Sequence, residues 1–129
     1  MNLTRNLANP EQIFEVVNDI FIQTEVQRLS EQRICERKPI FKSIELQFLN
    51  KDLDPVGPAI EAITRDVSVG GVGIISPILY DAGHAMIHFK DLSEETPSLL
   101  VEIRYTQQLG PFFQIGGRFC ADWSSIEFS

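Results

Sequence analysis

From Pro10 onward the apolar residues Ile13, Phe14, Val17, Ile20 and Phe21 recur at spacings of three and four. That periodicity places them in one stripe along a helix. Asn9 and Pro10 supply an N-cap and a proline at the first helical position. Glu11 adds a negative charge to the first turn, and Gln12 stands three residues after Asn9, as in a capping box. The pattern predicts a helix over about 10–30. Its stripe needs a partner surface, either this protein's own sheet or a second subunit in a homodimer.

After Pro39 the period changes to two. Ile44, Leu46 and Phe48 alternate with Ser43, Glu45 and Gln47, which predicts a half-buried strand over 40–48. Asp, Pro and Gly over 50–58 read as a loop. Further strands are expected over 60–68, 72–76, 85–89, 99–107 and 112–119, separated by Gly70-Gly71, Pro77, the polar stretch 90–97 and Gly110-Pro111. Six short strands at this spacing predict an all-β core, a six-stranded antiparallel β-barrel with an added N-terminal α-helix. The expected organisation is a helical extension over 1–31 and a barrel domain over 32–129. The residues after Cys120 are too few to assign.

A chain of 129 residues with 43% hydrophobic residues can build one core without a metal or disulfide to staple it. Its cysteines, Cys35 and Cys120, are too few for a disulfide scaffold and follow no metal-ligand spacing, so reduced thiols are expected. The first ten residues lack the apolar core of a signal peptide. No segment approaches the roughly 20 apolar residues that span a bilayer. The expectation is a cytoplasmic protein with no membrane span.

The net charge of −7 argues against general affinity for DNA, RNA or anionic membrane. The charge is unevenly placed, however. Between Arg28 and Lys42 the bases Arg28, Arg33, Arg37, Lys38 and Lys42 outnumber Glu31 and Glu36, a net of +3, and the rest of the chain carries −10. A small polyanion would choose that segment, whereas a long one would be repelled by everything around it.

Two stretches carry candidate chemistry. Arg33 and Arg37 stand four apart before the first strand, and their planar forks suit phosphate oxygens or the O6/N7 edge of guanine. The bland alternative is a solvated linker in which Glu31 and Glu36 pair with them. Asp66-Val67-Ser68-Val69-Gly70-Gly71 ends the second strand. Asp66 and Ser68, two apart, should share a face; the carboxylate can accept from guanine N1–H and N2–H, and the hydroxyl can bond a phosphate or a base. Gly70 would supply positive φ in the turn, and Gly71 would let the backbone approach a flat ligand. The bland alternative here is a hairpin whose Asp and Ser satisfy backbone groups.

Taken together and in this order, the two stretches resemble the PilZ family. Its pattern is RxxxR ahead of the first strand, here Arg33-x-x-x-Arg37, and [D/N]xSxxG at the second-to-third strand turn, here Asp66-x-Ser68-x-x-Gly71. Gly71-Val72-Gly73-Ile74 and Ile115-Gly116-Gly117-Arg118-Phe119 continue the likeness, which covers about 33–123. The resemblance implies a split-barrel receptor for the bacterial second messenger cyclic di-GMP, working in signal transduction with no cofactor and no catalysis. Arg33 and Arg37 would then take phosphates and guanine faces, Asp66 and Ser68 a guanine edge, and Gly71 would leave room for the ring, with Gly70 beside it in the turn. Gln32 stands where many members carry a further arginine, which leaves open whether one ligand or an intercalated pair binds. The resemblance also implies a protein partner that reads the switch. A family-type adaptor that binds protein and no nucleotide is the alternative.

Other residues carry less. His84 and His88 stand four apart, one in an expected turn and one on a strand, which is a poor metal pair. Ser68 has no histidine at a telling spacing, and no Lys-Ser/Thr follows Gly70-Gly71-Val72-Gly73, so neither nucleophilic catalysis nor a phosphate loop is supported. Cys35 lies between two arginines that could activate its thiol. Trp123 either caps the barrel or stacks near the ligand.

Overall fold

The computed structural model describes residues 8–25 and 38–120. One helix, α1 (Pro10–Glu25), precedes seven strands: β1 (Lys38–Pro39), β2 (Ser43–Leu49), β3 (Pro55–Val67), β4 (Gly71–Ser76), β5 (His84–Phe89), β6 (Leu99–Leu109) and β7 (Phe112–Phe119). All pairings are antiparallel, in the order β1-β3-β2-β5-β6-β7-β4, and β4 pairs back onto β3. Strands β2 to β7 therefore close a six-stranded barrel, and β1 is a short addition along β3. Closure leaves few strand edges open.

The period-two residues fill the barrel. Ile44, Leu46 and Phe48 are fully buried and join Ala85, Ile87, Leu99, Val101, Val72, Ile74 and Ile115 in one apolar cluster. The stripe of α1 belongs to that same cluster through Ile13, Val16, Val17, Ile20 and Phe21. Its partner surface is thus the protein's own barrel. Val16 takes the place expected of Phe14, which is 39% exposed. Each of these side chains contributes about 1.5–3 kcal/mol through burial. The capping box forms as spaced: Asn9 N–H donates to Gln12 Oε1 and Gln12 N–H to Asn9 Oδ1, both at 2.9 Å. Ala8 N–H donates to Ser98 O at 2.8 Å, tying the helix entrance to the barrel. The helix is described to Glu25, and the expected stretch from there to Ser30 lies outside the described residues.

Three local expectations are corrected. The segment 50–58 is only partly a loop, because β3 begins at Pro55. Pro55 sits at the first strand position, where no ladder donor is needed. The register jumps from Leu46↔Ile60 to Phe48↔Val56, so Gly57 and Pro58 occupy a bulge. Gly57 has φ 72°, the Tyr80 ring packs against it, and Gln47 Nε2 donates to its carbonyl at 3.0 Å. Second, β2 starts at Ser43 rather than at Ile40. The Thr64 hydroxyl replaces the ladder there, donating to Ile40 O at 2.6 Å and accepting from Lys42 N–H at 2.9 Å. Third, His84 opens β5 instead of lying in a turn.

Candidate ligand surface on the outer barrel face

Inward positions alternate with outward ones, and the register aligns four outward residues in a row across β3, β4, β7 and β6. Asp66 pairs with Gly73, Gly73 with Gly116, and Gly116 with Tyr105. The row runs carboxylate, bare backbone, bare backbone, phenol. Both glycines are required by their neighbours. A Cβ at Gly73 would stand 2.8 Å from Asp66 Oδ2, and one at Gly116 would overlap the Tyr105 ring. The ring is fixed further by a 3.1 Å hydrogen bond from Gln114 Nε2 to Tyr105 Oη. The glycine floor of this row is covered by the groups at its two ends: the Asp66 carboxylate lies over Gly73 and the Tyr105 ring over Gly116, and both glycines are buried.

A bulge on one side of β3 and a short strand on the other set the position of Asp66. The β3–β4 register shifts between Thr64 and Asp66, which makes Arg65 the extra residue. Arg65 Nε consequently lies 3.6 Å from Asp66 Oδ2, although neighbours on a regular strand point to opposite faces. On its other side Asp66 pairs with Pro39 and Val67 pairs with Lys38, while Ile40 N–H donates to Arg65 O at 3.1 Å. Lys38 is the residue directly after Arg37. The strand that carries the carboxylate therefore holds the chain one residue beyond the arginine pair.

Ser68 behaves differently from Asp66. It lies just past the end of β3 and is 4% exposed. Its hydroxyl oxygen accepts from Gly70 N–H at 3.1 Å and Gly71 N–H at 3.3 Å, while its own N–H donates to Gly71 O at 2.9 Å. The Asp66 carboxylate lies over Gly73 on the outer face, whereas the Ser68 hydroxyl is turned into the hairpin. Gly70 does not take the positive φ expected of it; among the described residues only Gly57 and Gly110 are glycines that do. The serine closes this turn through its side chain, so no left-handed residue is needed. Gly71 is buried and pairs with Arg118 on β7.

Charge around the floor is arranged in the next row. Gly71 pairs with Arg118, and Arg118 with Glu102. Glu102 Oε1 accepts from Arg118 Nη2 at 3.1 Å and from Arg104 Nη1 at 3.3 Å. Both arginines are more than half exposed, so the pairs are weak and open to exchange with a ligand. Lys42, counted with the basic segment, turns to Asp91 at 3.3 Å and is no part of this surface.

Arg33 and Arg37, with Gln32, Cys35 and Trp123, lie outside the described residues. Sequence reading brought Asp66, Gly70 and Gly71 to one hairpin correctly in position. It missed Gly73, Gly116, Tyr105, Arg65 and Arg118 as members of the surface. Two signals were available: the family likeness already ran through Gly73, Gly116 and Arg118, and glycines two apart in β4 leave one face of the strand without side chains. Among the described residues no cluster of His, Cys, Asp or Glu is placed to hold a metal, and no helix is long and apolar enough to cross a membrane. No protein-family model matches the chain, and no curated protein matches it.

Proposed function

We propose that this chain is a PilZ-type receptor for cyclic di-GMP. The observation that carries the reading is the pairing of Lys38 and Pro39 with Val67 and Asp66. It joins the segment that follows Arg33 and Arg37 to the end of β3, where the Asp66 carboxylate stands. A cyclic guanine dinucleotide asks for that combination. Its two phosphates need guanidinium forks, its guanine edge needs an acceptor for N1–H and N2–H, and its flat ring needs an aromatic face. Asp66 supplies the acceptor, and the half-exposed Tyr105 ring, seated on Gly116, supplies a face on which a base can stack. Ser68 contributes by shaping the hairpin at the end of β3.

On this reading the protein works without catalysis. Ligand would pin the arginine segment against β3 and so change what a protein partner meets next to the barrel. Isothermal titration of the full chain with cyclic di-GMP tests it. Arg37→Ala and Asp66→Ala should each weaken binding by about tenfold to a hundredfold, the loss of one or two charge-assisted hydrogen bonds. Cyclic di-AMP should bind more weakly than cyclic di-GMP, because adenine lacks the donor pair that Asp66 accepts. No heat from cyclic di-GMP at all would leave the protein-binding adaptor as the surviving reading.

A further inference from the structure

Strand β6 is longer than its neighbour β5. The two pair only from Leu99↔Ile87 to Glu102↔His84. The last bond on that side is Ile103 N–H to Gly83 O at 2.9 Å. From Arg104 to Leu109 no described strand lies beside β6 on the side away from β7, and all six residues are exposed. The β6–β7 hairpin closes through the two-residue turn Gly110-Pro111, with Leu109 opposite Phe112 and φ 59° at Gly110. The pair that flanks such a turn is hydrogen-bonded, and bonding alternates along the ladder. Leu109 and Gln107 are thus spent on β7. Thr106 and Gln108 direct their N–H and C=O groups to the open side.

We infer that this edge is the contact surface for a second copy of the chain, paired antiparallel about a two-fold axis at Gln107. That register joins Thr106 to the partner's Gln108 through both backbone groups, twice. It sets Tyr105, 51% exposed, beside the partner's Leu109, 40% exposed, again twice. Gln107 faces the partner's Gln107, and amides can bond each other. Arg104 meets the partner's Gly110, so the partner's turn arrives where the loop 79–82 parts from β6. A cleft of about 500 Å³ lies there, lined by Leu79, Tyr80, Asp81, Ile103, Arg104 and Thr106 among others.

The edge lacks the charges that would keep a second copy away. Natural sheets guard their edges with lysine, proline or inward charges. From Tyr105 to Gly117 this chain has no charged residue in thirteen, on a protein of net charge −7. Two copies of this acidic chain meet with no like charges in direct contact along this edge. The inference is independent of nucleotide binding.

Light scattering and sedimentation of the full chain over a concentration series test the proposal, without nucleotide. The wild type should form a concentration-dependent dimer. Gln107→Lys and Gln107→Glu each put like charges face to face across the axis and should each raise the dissociation constant by at least about tenfold. Mixing the two variants should restore a mixed dimer. Gln107 is exposed, so circular dichroism should report both variants as folded. A wild type that stays monomeric overturns the proposal, whether or not some other partner binds the edge. So does a dimer that both variants leave intact, and so does a mixture that fails to recover.

Discussion

The carboxylate of Asp66 lies over the backbone of Gly73, so close that a methyl group on Gly73 would stand 2.8 Å from Oδ2 and 3.1 Å from Oδ1. The two residues are cross-strand partners on β3 and β4. The glycine therefore sets where the acceptor points. Gly73→Ala must push the carboxylate away, which a short exposed-side group can do at little cost in stability. We expect binding of cyclic di-GMP to fall about tenfold or more while the melting temperature changes little. Gly70→Ala is the control. Its Cβ would meet only Ser68 Oγ at 3.7 Å, with no positive φ to strain it, and titration should find binding unchanged.

Ser68 is a structural residue by its contacts. Removing its hydroxyl orphans two backbone donors, at Gly70 and Gly71, next to a buried position. Ser68→Ala should cost about 1–3 kcal/mol in urea unfolding. Its effect on nucleotide affinity should be smaller than that of Asp66→Ala. The reverse order, with affinity lost and stability kept, would make Ser68 a ligand contact.

Helix α1 is part of the barrel's core through Val17, Ile20 and Phe21, all fully buried. Phe21→Ala leaves a cavity in that cluster and should cost about 3–5 kcal/mol. The loss should appear in one cooperative transition, followed together by far-ultraviolet dichroism and by tyrosine fluorescence. A helix that melts separately while the barrel persists would show that the shared cluster does not couple them.

Cys120 is a free thiol held at 8% exposure, and burial pushes its pKa up, with Glu102 nearby adding to the rise and Arg118 opposing it. The folded chain thus keeps this proton to higher pH than the unfolded chain does. Stability from this group is complete below the unfolded thiol value of about 8.5 and is lost as pH rises through the folded value. Under reducing conditions the wild type should lose melting temperature above that value more steeply than Cys120→Ala. Parallel slopes would show that the thiol is not shielded.

Where sequence reading succeeded, one local signal decided the outcome. Period two in 43–48 and 99–107 placed Ile44, Leu46, Phe48, Leu99 and Val101 inward, because a pleated strand puts alternate side chains on one face. It also grouped Tyr105 with them, but the bulge between Ile103 and Tyr105 turns that ring outward. The Asn9–Gln12 pair formed because both groups lie within one turn. It failed where local signals conflicted with packing. Pro55 and Gly57 read as loop, yet they sit in β3: Pro55 pairs with Leu49 as the first strand residue, and a bulge opposite Gln47 absorbs Gly57 while Phe48 and Val56 still pair. Gly70 read as a left-handed turn residue, yet the Ser68 side chain made that conformation unnecessary.

The chain's own order of residues determined that there would be a helix and a set of strands, which faces of them would be apolar, and where carboxylate, hydroxyl and glycines would fall around residue 66. These depend on neighbours a few bonds away. Only the tertiary structure decided that Asp66, Gly73, Gly116 and Tyr105 share a row, that Lys38 and Pro39 lie beside that row, and that β6 outruns β5. Each of those facts is a register between distant segments. A register shifts by a single bulged residue, and bulges form where side chains from elsewhere in the chain fill the gap.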